Sequence, residues 1–314
     1  MTNHDILLSS ANSRPDMERG PVDEESFRKM AEEMKRPHPA GVSLFRQSTT
    51  PQSSTSLVKG DVRNGAFKPL KLAPPNPDRV WESLSKIALD EVWLAGNGVF
   101  TNPTQNPACS YFDILRTKIL QAMQDRGWQR IAVTSPTHGC GKSFVATNLA
   151  FSLARRPSSR NVLIDLELRG PNLAKILGLA DVGSLEDFLL GEQPLESHFC
   201  RLGQTLAFGL NDRPVIEAAE LLHEPSTSEA LDAMMAQLDP QIVVYDAPPV
   251  LVTDDVLALL PKVDAVLLVI DGTRTTAEEV RACERLLEGR CPLMGVVLNR
   301  AQDRDLGRYR YGHK

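Results

Sequence analysis

The chain has 314 residues, 42% hydrophobic and 24% charged, which is the composition of a soluble globular protein with material for one large core or two small ones. A net charge of -5 with no basic stripe argues against a protein built mainly to grip nucleic acid, because phosphate contacts need a basic surplus. Cys109, Cys140, Cys200, Cys283 and Cys291 are scattered without C-x-x-C spacing, so they suggest neither a disulfide framework nor a zinc site and fit a reducing cytoplasm.

The first residues, MTNHDILLSSANSRPDMERG, lack a basic start followed by an apolar run, and no stretch reaches the roughly 18 uninterrupted apolar residues of a spanning helix. The expectation is a cytoplasmic protein without direct membrane insertion, recruited to the membrane by something else. Residues 1–78 are rich in Ser, Thr, Pro and charge (RQSTTPQSSTS, LAPPNP) and read as a largely disordered extension. Within it, Phe27, Met30 and Met34 stand at helical spacing, either a short partner-binding helix or a transient helix that binds nothing. Residues 79–105 form a helical docking segment whose apolar stripe, Val80, Trp81, Leu84, Ile87, Ala88 and Trp93, needs a surface on the main domain or on a partner.

From residue 106 to 302 the pattern alternates helices with short, nearly all-apolar strands. The helices include SYFDILRTKILQAMQDRG, GKSFVATNLAFSLARR, EALDAMMAQL and TTAEEVRACERLLEG; the strands are RIAVTS, NVLIDLEL, QIVVYDAPPV, VDAVLLVIDG and LMGVVLNRA. Strands without polar alternation, separated by helices, predict an α/β fold with a doubly wound, mostly parallel sheet covered on both faces. Ligands then belong beyond the carboxyl ends of the strands. Residues 303–314 form a tail with two of the chain's four tyrosines, Tyr309 and Tyr311, among Arg308, Arg310 and Lys314.

Three motifs follow three strands. After RIAVTS comes SPTHGCGKSF, where Gly139 and Gly141 let the backbone around Cys140 curl into an amide nest. Lys142 supplies a cation for phosphates, and the Ser143 hydroxyl can ligate Mg²⁺ where the next helix, with Phe144, begins. Pro136 stands where the generic phosphate-loop pattern has glycine, and the strand, loop and helix context restores the assignment. The second strand ends in Asp165, Glu167 and Arg169 at alternate positions, predicted to share one face. Two acids beside a phosphate loop can hold Mg²⁺ through water and accept a proton from a hydroxyl. A third acid, Asp246, closes IVVY before two prolines stop the strand, as the usual second Mg²⁺ anchor does. Asp254 and Asp255 read as caps of the following helix. Asn299, after GVVL, stands where this kind of fold often reads adenine.

The segments SPTHGCGKSFVATNLAFSLAR, VLIDLELRGPNLAKILGL, VVYDAPPVLVTDD and GVVLNRA, from about Cys109 to the end, resemble the bacterial tyrosine-kinase family of capsule and exopolysaccharide synthesis (BY-kinases, CpsD/CapB type) of the P-loop, deviant-Walker ATPase superfamily. The resemblance implies that the loop at Lys142 and Ser143 is Walker A, that Asp165 and Glu167 fall in a second D-x-D motif, and that Asp246 is the Walker B acid. Glu167 replaces that motif's second aspartate, and at the family's E-x-x-R-x-x-R assembly helix this chain has Ser110, Asp113 and Arg116. ATP would be the phosphoryl donor with Mg²⁺, and Lys142, Asp165 and Asp246 the catalytic set. Ser143, Asp165, Glu167 and Asp246 would surround the metal. Gly139, Cys140, Gly141, Lys142, Ser143, Phe144 and Asn299 would bind the nucleotide, and Tyr309 and Tyr311 would accept phosphate. The implied partners are a separate transmembrane activator of polysaccharide export and further copies of the chain, with no nucleic acid. Two other readings stay open: an ATP-binding regulator without kinase activity, and a positioning ATPase, although those carry a signature lysine where this chain has Thr137.

Overall fold

The structure is a computed structural model that describes residues 6–7, 76–101, 106 and 108–301. The helix expected around Phe27, most of the N-terminal extension, and the tail with Tyr309 and Tyr311 lie outside the described residues. Nine strands form one sheet among the described residues: β1 (Ile6–Leu7), β2 (Ser85–Lys86), β3 (Arg130–Thr134), β4 (Asn161–Asp165), β5 (Phe199–Leu202), β6 (Leu206–Gly209), β7 (Ile242–Asp246), β8 (Ala265–Asp271) and β9 (Leu293–Asn299). Their order is β1-β9-β8-β3-β7-β4-β6-β5-β2, and every pairing is parallel except β5 with β6.

The central strands bury both faces, and their alternation splits the apolar residues between two cores. Ala132, Val162, Ile164, Val243 and Tyr245 face one core, while Ile131, Val133, Leu163 and Val244 face the other. Each fully buried Val, Leu or Ile contributes about 1.5–3 kcal/mol, so these five-residue strands are held mainly by what covers them.

The covering helices are α1 (Pro77–Ser83), α2 (Glu91–Gly96), α3 (Ala108–Arg126), α4 (Lys142–Ala154), α5 (Leu173–Leu177), α6 (Glu186–Leu189), α7 (Ala218–His223), α8 (Pro225–Leu238), α9 (Asp255–Leu259) and α10 (Ala277–Leu287). α10 starts with a reciprocal cap, in which Thr276 accepts from the Glu279 amide and Glu279 accepts from the Thr276 amide. None of the described helices is long and apolar enough to cross a membrane.

Residues 76–101 are built into this frame. Asn76 caps α1, whose Val80 and Trp81, followed by Leu84, enter the same buried cluster as Leu231 and Met234 of α8, and α1 packs on α8. The Trp81 ring is fully buried, with the Arg160 guanidinium 5.3 Å from its centroid. α2 goes to the other face, where Leu94 and the following Val99 join Phe112 and Leu115 of α3. Trp93 stays half exposed and donates from Nε1 to the Lys175 carbonyl at 3.2 Å. The antiparallel β5–β6 hairpin and α7 were not predicted by periodicity; a buried arginine, Arg201, interrupts the apolar run of β5.

Candidate functional site

The loop between β3 and α4 carries the first part of the site. Gly141 is the N-cap of α4 with φ 92°, and an added Cβ there would stand 2.2 Å from Asn299 Nδ2, so only glycine fits. Gly139 also has positive φ, 81°. The loop thereby aims the first amides of a 13-residue helix toward the end of the sheet. Lys142 and Ser143, the first two residues of that helix, are largely buried. A cavity of about 470 Å³ opens over them, lined by His138, Lys142, Phe144, Glu167, Asp212 and Arg300 among others. Phe144 is fixed from behind by the rings of Phe100 and Phe112, with centroids 6.0 and 5.7 Å away.

β7 and β4 lie next in the sheet, and their register sets Asp246 directly beside Asp165 at the carboxyl ends. Both side chains are fully buried. Asp165 Oδ2 accepts from the amides of Asn172 and Leu173 at 3.1 and 3.0 Å, while its Oδ1 and both oxygens of Asp246 have no hydrogen-bond partner in the protein. Burial pushes the Asp165 carboxyl up to about 8, reinforced by the neighbouring Asp246 charge. Burial raises Asp246 as well, opposed by the charge of Lys142. Two in-register carboxylates in a dry place cannot both ionise cheaply without a cation between or above them.

Lys142 answers part of that demand. Its Nζ forms an ion pair with Glu167 Oε2 and lies 3.9 Å from Asp246 Oδ1, and His138 Nδ1 is 3.5 Å from the other Glu167 oxygen. Lys142, Ser143, Asp165, Glu167 and Asp246 are therefore brought together. Glu167 serves first as the counter-ion of Lys142. The predicted shared face of Asp165, Glu167 and Arg169 is corrected: β4 ends at Asp165, and Arg169 turns away to make a two-pronged pair with Asp255 at 2.7 and 3.0 Å. The capping role of Asp254 and Asp255 is corrected with it, since α9 has no side-chain cap and the Asp255 oxygens are committed to Arg169 and Thr253.

Asn299, assigned to the nucleotide, is buried and does not line the cavity; its Nδ2 donates to the Cys140 carbonyl at 2.9 Å. Periodicity gave no sign of Arg300, which donates from Nη1 to the Gly139 carbonyl at 2.8 Å and to Asp271 Oδ2 at 2.6 Å. On α3, Asp113 and Arg116 pair with each other and reach Ser152 and Arg155 of the same chain.

A glycine-pinned loop that opens a helix, a lysine over buried acids, and those acids on adjacent parallel strands define a P-loop NTPase domain. The ParA family, described as NUBPL iron-transfer P-loop NTPase, matches residues 128–303. EpsB, a candidate tyrosine-protein kinase of Ralstonia nicotianae, is 34% identical over 211 residues, covering 67% of this chain and 28% of EpsB. The tyrosine-protein kinase YwqD of Bacillus subtilis is 30% identical over 187 residues, 59% of this chain and 78% of YwqD. The crystal structure of the VpsO kinase domain matches with a TM-score of 0.54 at 30% identity, over 60% of this chain and 93% of that domain. The chain belongs to the bacterial tyrosine-kinase family within the P-loop NTPases. It spans less than a third of the length of EpsB.

Proposed function

We propose that the protein is a Mg·ATP-dependent protein-tyrosine kinase that phosphorylates Tyr309 and Tyr311 of its own tail and regulates exopolysaccharide polymerisation and export. The observation that carries the reading is the pair of buried, in-register carboxylates of Asp165 and Asp246 beside the phosphate loop, which receive between them only two backbone amides, both on Asp165. Names of relatives support the same direction: YwqD is called a tyrosine-protein kinase, and a relative in Rhizobium meliloti is the succinoglycan biosynthesis transport protein ExoP. The five cysteines are separate thiols, and the iron transfer in the ParA description is not carried over.

The unpartnered carboxylate oxygens and the Ser143 hydroxyl are hard donors that fit Mg²⁺. No three His, Cys, Asp or Glu side chains among the described residues form a ready cage, which suits an ion that keeps waters and phosphate oxygens as its other ligands. Asp246 and Ser143 would hold the ion, with Asp165 beside them; when bound, it neutralises phosphate charge. The loop amides and Lys142 then orient the triphosphate. The tyrosine oxygen bonds to the γ-phosphorus as the bond to the β-γ bridging oxygen breaks, and ADP leaves with that oxygen. Asp165 would take the proton of the tyrosine hydroxyl in its ionised form, which the charge of Lys142 and of the bound ion would favour against burial. Little covalent work falls to the protein, so rate follows positioning and charge neutralisation. A separate transmembrane activator, holding the protein at the inner face of the membrane, and self-assembly complete the proposal.

The test is phosphotyrosine on the purified chain after incubation with Mg·ATP, alone and with candidate activator tails. Label located on the tail and absent from both Lys142→Met and the Tyr309→Phe/Tyr311→Phe double variant is the expected result. Nucleotide binding with no tyrosine labelled under any condition sinks the kinase reading and leaves a nucleotide-dependent regulator.

A further inference from the structure

The far ends of β8 and β9 hold the phosphate loop by its carbonyls. Arg300 Nη1 donates to both Gly139 O and Asp271 Oδ2, and Asn299 Nδ2 donates to Cys140 O. Neither anchor is loose. Asp271 is buried, and its Oδ1 accepts from the amide and hydroxyl of Thr273 at 2.8 and 2.6 Å. Asn299 Oδ1 accepts from the Arg300 amide at 3.0 Å, and the Asn299 carbonyl accepts from Gly272 at 2.8 Å. Arg300 itself has φ 55°, the left-handed region that arginine rarely adopts, so its backbone is strained in the conformation that makes these contacts.

The chemistry of such a loop explains what these bonds do. An anion is held by backbone N–H groups, and a loop carbonyl that turned inward would set a negative dipole against it. Donors placed outside the loop that capture the carbonyls of Gly139 and Cys140 fix the peptide planes with their N–H groups facing the ligand. We infer that Arg300 is a positioning residue for the phosphate loop, working with Asn299 to keep the two loop carbonyls turned away from the bound phosphates. It acts through the loop backbone, with Asp271 fixing the reach of its guanidinium. This role rests on the nucleotide-binding part of the function proposed above.

The experiment is equilibrium binding of a fluorescent N-methylanthraniloyl ADP, with Mg²⁺, to the full chain and to Arg300→Ala, Arg300→Gly and Arg300→Lys, alongside the thermal midpoint of each. Arg300→Gly removes the guanidinium while suiting the positive φ, so it stays folded if strain is what alanine leaves behind. Alanine and glycine are both expected to weaken binding about tenfold, which is about 1.4 kcal/mol, and to lower the midpoint as well, because the buried Asp271 loses its charged donor. Lysine restores little of it, because its ammonium sits one bond closer to the backbone than Nη1 and does not reach the two acceptors that Nη1 meets together. Affinity equal to wild type in either truncated variant overturns the inference, as does full rescue by lysine, which would mark a general charge effect. A lowered midpoint with unchanged affinity also overturns it, since the residue would then be only structural. If the wild-type chain binds no nucleotide, the function proposed above fails and takes this role with it.

Discussion

Two sets of buried aspartates close parallel strands of the same sheet and have opposite surroundings. Asp271, at the end of β8, is almost fully buried yet receives the Thr273 amide, the Thr273 hydroxyl and the Arg300 guanidinium. Despite the opposing effect of burial, these donors hold its carboxyl below the usual range. Asp246, at the end of β7, is fully buried with no backbone amide aimed at it and only Lys142 and the Ser143 hydroxyl beside it, and burial raises it despite them. A buried carboxylate left unpaired costs several kcal/mol, so a fold carries one where a ligand offsets the cost. Burial and position alone therefore do not mark a functional acid. The inventory of donors around it does.

That contrast is broken most directly at Asp246. Asp246→Asn is expected to lower tail phosphorylation by about 10²–10³-fold, the usual scale for losing one group that stabilises transition-state charge. The same substitution removes a buried charge that Lys142 offsets only in part, so the thermal midpoint holds or rises. A variant that unfolds easily instead would show Asp246 to be structural, and the contrast would collapse. Asp271→Asn is expected to do the reverse in stability, costing about 1–2 kcal/mol in urea denaturation because Arg300 and Thr273 lose a charged acceptor. Wild-type stability in that variant would remove Asp271 from the satisfied class.

The last effect is a pH slope. Asp165 is raised in the folded chain to about 8, against about 4 when unfolded. Between those values the native state keeps a proton that the unfolded state has released, so this group's stabilisation is full below about pH 4 and is lost as pH rises toward 8. In metal-free protein, Asp165→Asn should therefore flatten the fall of the midpoint over that window, keeping the acceptor for Asn172 and Leu173. Asp271 works in the other sense, stabilising above about pH 4 and losing that contribution as the solution is acidified. Parallel midpoint curves for wild type and Asp165→Asn would argue that Asp165 carries no extra proton.

Much of this architecture was readable from residues alone, and for a stated reason. Strands buried on both faces are written as unbroken apolar runs, as in IAVT and VLID, and a phosphate loop needs glycine and lysine at fixed spacing. What escaped were the features whose cause lies far along the chain. The β5–β6 hairpin hides because Arg201 sits in a buried position, where its Nη1 reaches the Gly203 carbonyl at 2.9 Å. The partners of the acids were equally silent. Glu167 pairs with Lys142, Arg169 with Asp255, and Arg300 braces a carbonyl 161 positions earlier, none of which a local pattern can encode.

The burial of Trp81 carries a consequence for where the folding unit begins. A gene cut at residue 106, where the alternation of helices and strands starts, would delete a fully enclosed indole and with it one wall of the core that α8 completes. Filling that gap with water would cost about 3–5 kcal/mol for the tryptophan alone, a large share of what a domain of this size has in reserve. The nucleotide domain is therefore heritable as a unit only with the segment from about Asn76 kept, and a recombination event or protease that separates the two pieces yields a fragment prone to aggregate through the exposed faces of Leu231 and Met234.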